Sequence, residues 1–372
     1  MTKGVHSLTC GCPFLQVAAE GFFCHIARAL MTLSLILASS PSVFAYPFST
    51  LNPDCSNTMR IEKDEKGQEI VVTWALNPRG TELLAWGGSG QIFYWPENTT
   101  EVMKLPTTDP SSIEDIEIEK RIYTRLGSHP NIVPCLRIAE TGPVSVCAEH
   151  IVLKRAEYGT VRQYFLEGGT ATVDERIKWC RDIAKAVQYV HDHEIRHGDI
   201  GGRNILLDSS RTVLLCDFAG SGIDGNPPRV RAEEGFKHPV LEENWKGTMR
   251  SELHALGSTI YEIITSKRPH YELQDWMVNW IRKRDYPGVA DDHVESWMVQ
   301  LWLQEGIYPD VTEVKLGDII SKCWKGQFDC AEEVAESIQN EMGSFSLSYS
   351  VKLSNIARLG NSEAQNKMNP VR

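Results

Sequence analysis

The sequence predicts an α+β fold of two unequal halves, a strand-rich smaller one followed by a helix-rich larger one, with a cleft between them. Three observations carry this. From Ile70 to Lys104, apolar runs at Val71-Val72, Leu83-Leu84, Ile92-Phe93-Tyr94 and Val102-Met103 alternate with Gly, Pro and Asn turns, a strand pattern. After Gly168-Gly169 the period turns helical, with Ile177, Cys180, Ile183, Val187 and Val190 on one face. Beyond residue 250 nearly every segment reads as helix, with Trp- and Leu-rich stretches around 275–303.

Taken in order, residues 1–50 are expected to be disordered or a targeting segment. Residues 51–79 form an N-terminal extension that is polar and charged up to a turn at Lys66-Gly67. One domain over 80–342 divides into a small lobe, 80–153, and a large lobe, 157–342, and a polar tail covers 343–372. Within the small lobe a helix is expected over Ser112–Leu126, then strands at Ile132–Ile138, Val144–Cys147 and Ile151–Leu153. Thr172 and Glu175 have the spacing of a capping box that opens the first long helix of the large lobe.

The totals exclude several classes of function. An apolar fraction of 42% with 23% charged residues describes a globular chain of 372 residues. A formal charge of −11 without a Lys/Arg cluster argues against a nucleic-acid face. Of ten cysteines, Cys135, Cys147, Cys180 and Cys216 sit in apolar runs and read as reduced core residues; Cys10 and Cys12 have no second pair at zinc spacing. The run Ala29–Ala38, preceded by Arg28 and followed by Val43-Phe44-Ala45, has the form of a signal segment. It falls short of the roughly 20 apolar residues of a stable membrane span. A cytoplasmic or nuclear location is expected, with the secretory pathway as the alternative if 29–45 is a signal peptide. Asn98-Thr99-Thr100 reads as a glycosylation sequon or as a tight hairpin.

The densest chemistry lies in His197-Gly198-Asp199-Ile200-Gly201-Gly202-Arg203-Asn204, followed by the strand Ile205-Leu206-Leu207. Thirteen residues beyond Asn204, the apolar strand Val213–Cys216 ends in Asp217-Phe218-Ala219-Gly220. Phosphoryl transfer needs such a set: an Asp to orient or accept a hydroxyl proton, and an amide with a second carboxylate to hold Mg²⁺ against phosphates. Singly, each residue is an ordinary turn former; the joint spacing is what points to the chemistry.

These segments resemble the catalytic loop (H-R-D-L-x-x-x-x-N) and metal-binding loop (D-F-G) of the eukaryotic protein kinase superfamily. The resemblance implies ATP and Mg²⁺ as cofactors, a protein substrate, Asp199 as catalytic base, and Asn204 and Asp217 as Mg²⁺ ligands. Upstream, Val102-Met103-Lys104-Leu105 resembles the V-A-I-K strand and makes Lys104 the phosphate clamp. Its partner follows from geometry: Ile116, Glu119, Ile122, Tyr123 and Leu126 share one helical face, and a carboxylate there needs a cation. Glu119 is therefore the expected partner, whereas Glu117 reads as a solvated pair with Lys120 and Arg121. Ala85-Trp86-Gly87-Gly88-Ser89-Gly90-Gln91-Ile92 is similar to the glycine loop, with Ala85 in the first glycine position and Gly87, Gly88 and Gly90 near phosphate. By similarity to the hinge, backbone groups of Lys154 and Ala156 would bond adenine, with Ile92 and Leu206 lining its pocket. The helix Ser251–Glu262 resembles S-D-x-x-x-L-G-x-x-x-Y-E, and the set most resembles divergent kinase-like proteins widespread in fungi.

Departures are specific. Gly198 replaces the Arg that receives an activation-loop phosphate in kinases having it, and Gly222–Gly247 contains no Ser or Thr, so no phosphoswitch is expected. Ala219 displaces the metal-loop glycine by one, Glu252 replaces an Asp, and the D-I-G-G-R-N order is nearer the D-L-A-A-R-N of tyrosine kinases. The expectation is a protein kinase acting on Ser or Thr. A nucleotide-binding pseudokinase scaffold and a small-molecule phosphotransferase are the alternatives.

Overall fold

The computed structural model describes residues 55–343, apart from 64–68, 79, 89, 108, 140–149, 241–246 and 271–290. The expectations for 1–50, for Val144–Cys147 and for the tail beyond 343 lie outside the described residues. Strand pairing begins earlier than the apolar pattern suggested. β1 (Cys55–Lys63) and β2 (Glu69–Pro78) form an antiparallel pair of their own, and β1 is too polar to have announced itself by alternation.

The small lobe is built on a five-stranded antiparallel sheet. Its strands are β3 (Glu82–Gly87), β4 (Gly90–Trp95), β5 (Asn98–Leu105), β6 (Cys135–Ile138) and β7 (Ile151–Lys154), in the order β3-β4-β5-β7-β6. The Asn98 side chain accepts the Thr100 N–H at 3.2 Å and its hydroxyl at 2.7 Å at the start of β5, the tight-hairpin geometry. Helix α1 (Pro110–Leu126) is opened by Asp109, whose carboxylate accepts Ser111 N–H at 2.9 Å. Its buried face is Ile116, Glu119, Ile122, Tyr123 and Leu126, as the period of the sequence requires. Glu117 pairs with Lys120 at 2.6 Å. Contrary to expectation Lys120 is buried, and Arg121 turns away toward Asp224.

The large lobe is helical. The short helix α2 (Val161–Leu166) precedes α3 (Val173–Asp192), where Thr172 and Glu175 form the expected reciprocal capping box. Helix α3 buries Ile177, Trp179, Cys180, Ile183, Ala184, Val187 and Val190. α4 (Met249–Thr265), α5 (Asp291–Gln304), α6 (Gly317–Trp324) and a helix over 331–343 follow. Two short antiparallel strand pairs, the second enclosing the first in sequence, sit against α3 and carry the site. β9 (Ile205–Leu207) pairs with β10 (Val213–Leu215), and β8 (Ile195–Arg196) pairs with β11 (Gly222–Ile223). The strand expected over Ile132–Ile138 is shorter, since Pro134 interrupts it; Ile132 instead bridges Leu215 in parallel. Among the described residues Cys135, Cys180, Cys216, Cys323 and Cys330 are free, with Cys180 and Cys216 buried as expected but Cys135 only half-buried. Among the described residues no helix is long and apolar enough to cross a membrane.

One core runs from the buried face of α1 through α3 to α4 and α6. Ile183, fully buried in it, is the test of this packing: Ile183→Ala leaves a cavity and is expected to lower unfolding free energy by about 2–5 kcal/mol in urea titrations, with the slope unchanged.

Candidate active site

Lys104 lies on the central strand β5, paired across the sheet with Ile92 and Ile151. Its ammonium is 2.6 Å from Glu119 Oε2 and 2.6 Å from Asp217 Oδ1. It thus joins the sheet, helix α1 and the end of the β10 segment at one point. Lys104 and Glu119 are 4% and 0% exposed, so water screens little of this attraction. Burial alone would depress the Lys104 pKa, but the carboxylates of Asp217 and Glu119 outweigh it and hold the group above the ordinary lysine value. Asp217 is pushed up by burial and pulled further down by Lys104, ending below the usual carboxylate range. Glu119 stays raised, because its burial is complete. Phe218 N–H donates to Glu119 Oε1 at 3.1 Å, locking the helix carboxylate to the Asp217 loop.

Asp199 and Asn204 occupy one tight loop. Asn204 Nδ2 donates to Asp199 O at 2.7 Å and to Asp199 Oδ2 at 2.9 Å, which leaves the amide oxygen for another partner. Cys216 N–H donates to Asn204 O at 3.0 Å, so Asn204 and Asp217 stand at adjoining ends of the β9–β10 pair. Arg203 Nη2 reaches both Asp199 oxygens, at 2.7 and 2.8 Å. Burial raises the Asp199 pKa, and Arg203, His197 and Asn204 only partly oppose it. His197 Nδ1 accepts the Asp199 N–H at 3.2 Å, which makes Nε2 the protonated nitrogen, donating to Cys216 O at 3.0 Å.

Below the loop, Glu252 of α4 accepts His197 N–H and Gly198 N–H, both at 2.8 Å, and meets His191 Nε2 at 3.3 Å. Burial raises Glu252, but these partners more than offset it. Glu262 of the same helix accepts Gly202 N–H at 2.9 Å and Arg162 Nε at 2.5 Å. Gly198 has φ 82°, and a Cβ there would lie 2.6 Å from Pro228 Cβ, so Pro228 fills the space beside the position where the family pattern has Arg. The ring of Phe218 stands between Tyr123 (centroids 5.5 Å) and His197 (5.2 Å), a continuous stack from α1 to the catalytic loop.

The glycine turn joins β3 to β4 next to Lys104. Ala85 pairs with Ile92 and Gly87 with Gly90. A Cβ on Gly90 would lie 2.7 Å from Leu105 O, so only glycine lets the turn lie this close to β5. No other heavy atom lies within 4 Å of a Cβ built on Gly87 or Gly88. At the lobe boundary, Lys154 N–H is donated to Pro134 O at 2.9 Å. That leaves the Lys154 carbonyl as the backbone group of this residue available to a ligand. Ala156 O accepts Gly159 N–H at 3.2 Å, which leaves the Ala156 N–H as its candidate group. Leu206, half-buried, faces Thr160 through a bridge beside this segment.

Arg203, Glu252, Glu262, Arg162 and the Tyr123–Phe218–His197 stack were not assigned from sequence. Glu252 and Glu262 carried a signal like that of Glu119, a carboxylate within an apolar helix. Arg162 carried none.

The donor set fits a magnesium ion. Asn204 and Asp217 offer hard oxygens, and one ammonium between the carboxylates of Glu119 and Asp217 leaves negative charge in excess.

A five-stranded lobe carrying Lys104 over a helical lobe carrying Asp199, Asn204 and Asp217 defines the bilobal kinase fold. The chain belongs to the protein kinase family: the family's protein kinase domain model matches residues 96–326, inside the 80–342 expected from sequence. It is similar to a probable serine/threonine-protein kinase of Lactococcus lactis, 29% identical over 147 residues, 38% of this chain and 23% of that protein. It is also similar to a G-type lectin S-receptor-like serine/threonine-protein kinase of Arabidopsis thaliana, 26% identical over 310 residues, 77% of this chain and 36% of that protein. The chain thus spans well under half the length of these relatives.

The buried triad yields a stability prediction. Lys104→Met leaves Glu119 without its cation and is expected to destabilise the fold by about 3–5 kcal/mol. Adding Glu119→Leu should recover a large part of this loss in denaturant titrations. Equal stability of the single variant and the unmodified chain would contradict the buried pairing.

Proposed function

We propose that the chain is an ATP-dependent protein kinase that transfers the γ-phosphoryl group to a protein hydroxyl, Ser or Thr. The observation that carries this reading is the meeting of Lys104 with both Glu119 and Asp217 at 2.6 Å. An ammonium so held is fixed in place to receive phosphate oxygens without further reorganisation. The glycine turn (Ala85, Gly87, Gly88, Gly90) would cover the phosphates with backbone N–H groups, and Ile92 and Leu206 would sandwich adenine against the Lys154 carbonyl and Ala156. Asn204 and Asp217 would hold Mg²⁺, which supplies charge neutralisation between the phosphates. Asp199 orients the acceptor hydroxyl and takes its proton as the hydroxyl oxygen bonds to the γ-phosphorus; the bond to the β-phosphate oxygen breaks and ADP leaves. The serine/threonine kinases among the similar proteins support the choice of acceptor.

The test is γ-phosphate transfer to generic protein substrates, with phosphoamino-acid analysis of the product. Transfer to Ser or Thr is expected, together with a loss of at least about 100-fold in Asp199→Asn, as for removal of a general base. Activity that survives both Asp199→Asn and Lys104→Met would be a contaminant. Mg-ATP binding without turnover would favour a scaffold, and turnover confined to metabolite hydroxyls a small-molecule kinase.

A pH profile tests Asp199 further. Its raised pKa means that base function is lost as pH falls through a value above the ordinary carboxylate range. Arg203 opposes that rise, so Arg203→Leu should move the acid limb of kcat/KM to higher pH; a limb that stays in place or moves down would contradict the pairing.

A further inference from the structure

The segment after Asp217 lacks the groups of a phosphate switch. Residues 222–247 hold no Ser, Thr or Tyr; of the hydroxyls that flank them, that of Ser221 is buried and donates to His197 O at 2.9 Å, and that of Thr248 caps α4, accepting Ser251 N–H at 3.1 Å. Yet the segment grips helix α1 on both sides of Glu119. Arg229 Nη1 is 2.5 Å from Glu114 Oε2 and its Nε 2.9 Å from Asp115 Oδ1. Arg229 N–H also donates to Gly220 O at 2.6 Å, tying it directly to the Asp217 loop. One turn past Glu119, Arg121 and Arg125 both reach Asp224, each at 2.5 Å. Arg121 and Arg125 are i, i+4 neighbours, so one carboxylate serves both. At the far end of the segment, Glu233 pairs with Arg162, which also holds Glu262 and, through it, Gly202 of the catalytic loop.

We infer that Arg229 and Asp224 are positioning residues: their fixed charges fasten the helix that carries Glu119 in its catalytic place, so that the Lys104–Glu119 pair forms with no phosphate on the chain. Two features support this over incidental surface pairing. The four helix partners bracket Glu119 with alternating charge, acidic before it and basic after it, and each meets the opposite charge on a single short segment. Pro228, beside Arg229, occupies the space next to Gly198, where an arginine would receive a phosphate. The structural half of the inference stands alone; its catalytic half rests on the kinase reading.

The experiment uses the full chain after phosphatase treatment, with its unphosphorylated state checked by mass. Hydrogen exchange of residues 116–126 and steady-state kinetics are measured for the unmodified chain, Arg229→Glu, and the swap Arg229→Glu/Glu114→Arg. Phosphatase treatment is expected to leave turnover unchanged. Arg229→Glu is expected to speed exchange in 116–126 and lower kcat/KM for ATP by about threefold to tenfold, the scale of a few ion pairs, with the swap restoring part of both, since Asp115 still faces position 229. Salt at 1 M should mimic the single variant. If Arg229→Glu fails to fold, Arg121→Gln/Arg125→Gln at the other grip gives the same readouts. Unchanged exchange and kinetics in the variants, or activity abolished by phosphatase, would overturn the inference. An unmodified chain without turnover would refute the proposed function instead, and exchange in 116–126 would still decide the fastening.

Discussion

A single buried ammonium held between the buried Glu119 and the part-exposed Asp217 is the constraint around which both lobes are arranged. Lys104 comes from the middle of a sheet, Glu119 from the inner face of a helix, and Asp217 from the end of a hairpin in the other lobe. Burying the Lys104 and Glu119 charges is unfavourable unless each finds its partner, and Asp217 shares the same ammonium, so β5, α1 and the Asp217 loop are held to one another. The Phe218 N–H bond to Glu119 and the Tyr123–Phe218–His197 stack carry that constraint to the catalytic loop. Such a triad is weak evidence for stability in itself. Its physical consequence is preorganisation: a cation already desolvated and aimed where phosphate charge would lie.

The catalytic loop has a second support, drawn from α4. Glu252 holds its first two backbone N–H groups and Glu262 a third, so the loop's shape is set by carboxylates on a rigid helix and not by its own turn propensity. The longer Glu at 252 reaches both N–H groups at 2.8 Å, so the departure from Asp leaves the clamp intact. Gly198 is likewise explained, since Pro228 leaves no room for a side chain there. At Glu252 and Gly198 the departures from the family pattern are thus accommodated in three dimensions.

Much of this was legible in the sequence because it follows from local rules. The face of α1 that buries Ile116 and Ile122 also buries Glu119, which periodicity alone selects over Glu117. The capping box at Thr172 and the face of α3 were readable for the same reason. What escaped depends on long-range contact: Arg162 meets Glu233 and Glu262 from 71 and 100 residues away, and no period or spacing encodes that. β1 escaped because its sequence, CSNTMRIEK, carries no apolar alternation. Similarity named the hinge segment without saying which backbone groups are free; that Pro134 takes the Lys154 N–H is a long-range fact the sequence does not carry.

The central claim is that Lys104, Asn204 and Asp217 serve one magnesium-triphosphate site. Calorimetric titration with ATP, with and without Mg²⁺, tests it most directly. One site per chain is expected, tighter with the metal, with a metal effect that disappears in Asn204→Ala and weakened binding in Asp217→Asn as long as that variant remains folded. Binding of ATP unchanged in both variants would contradict it.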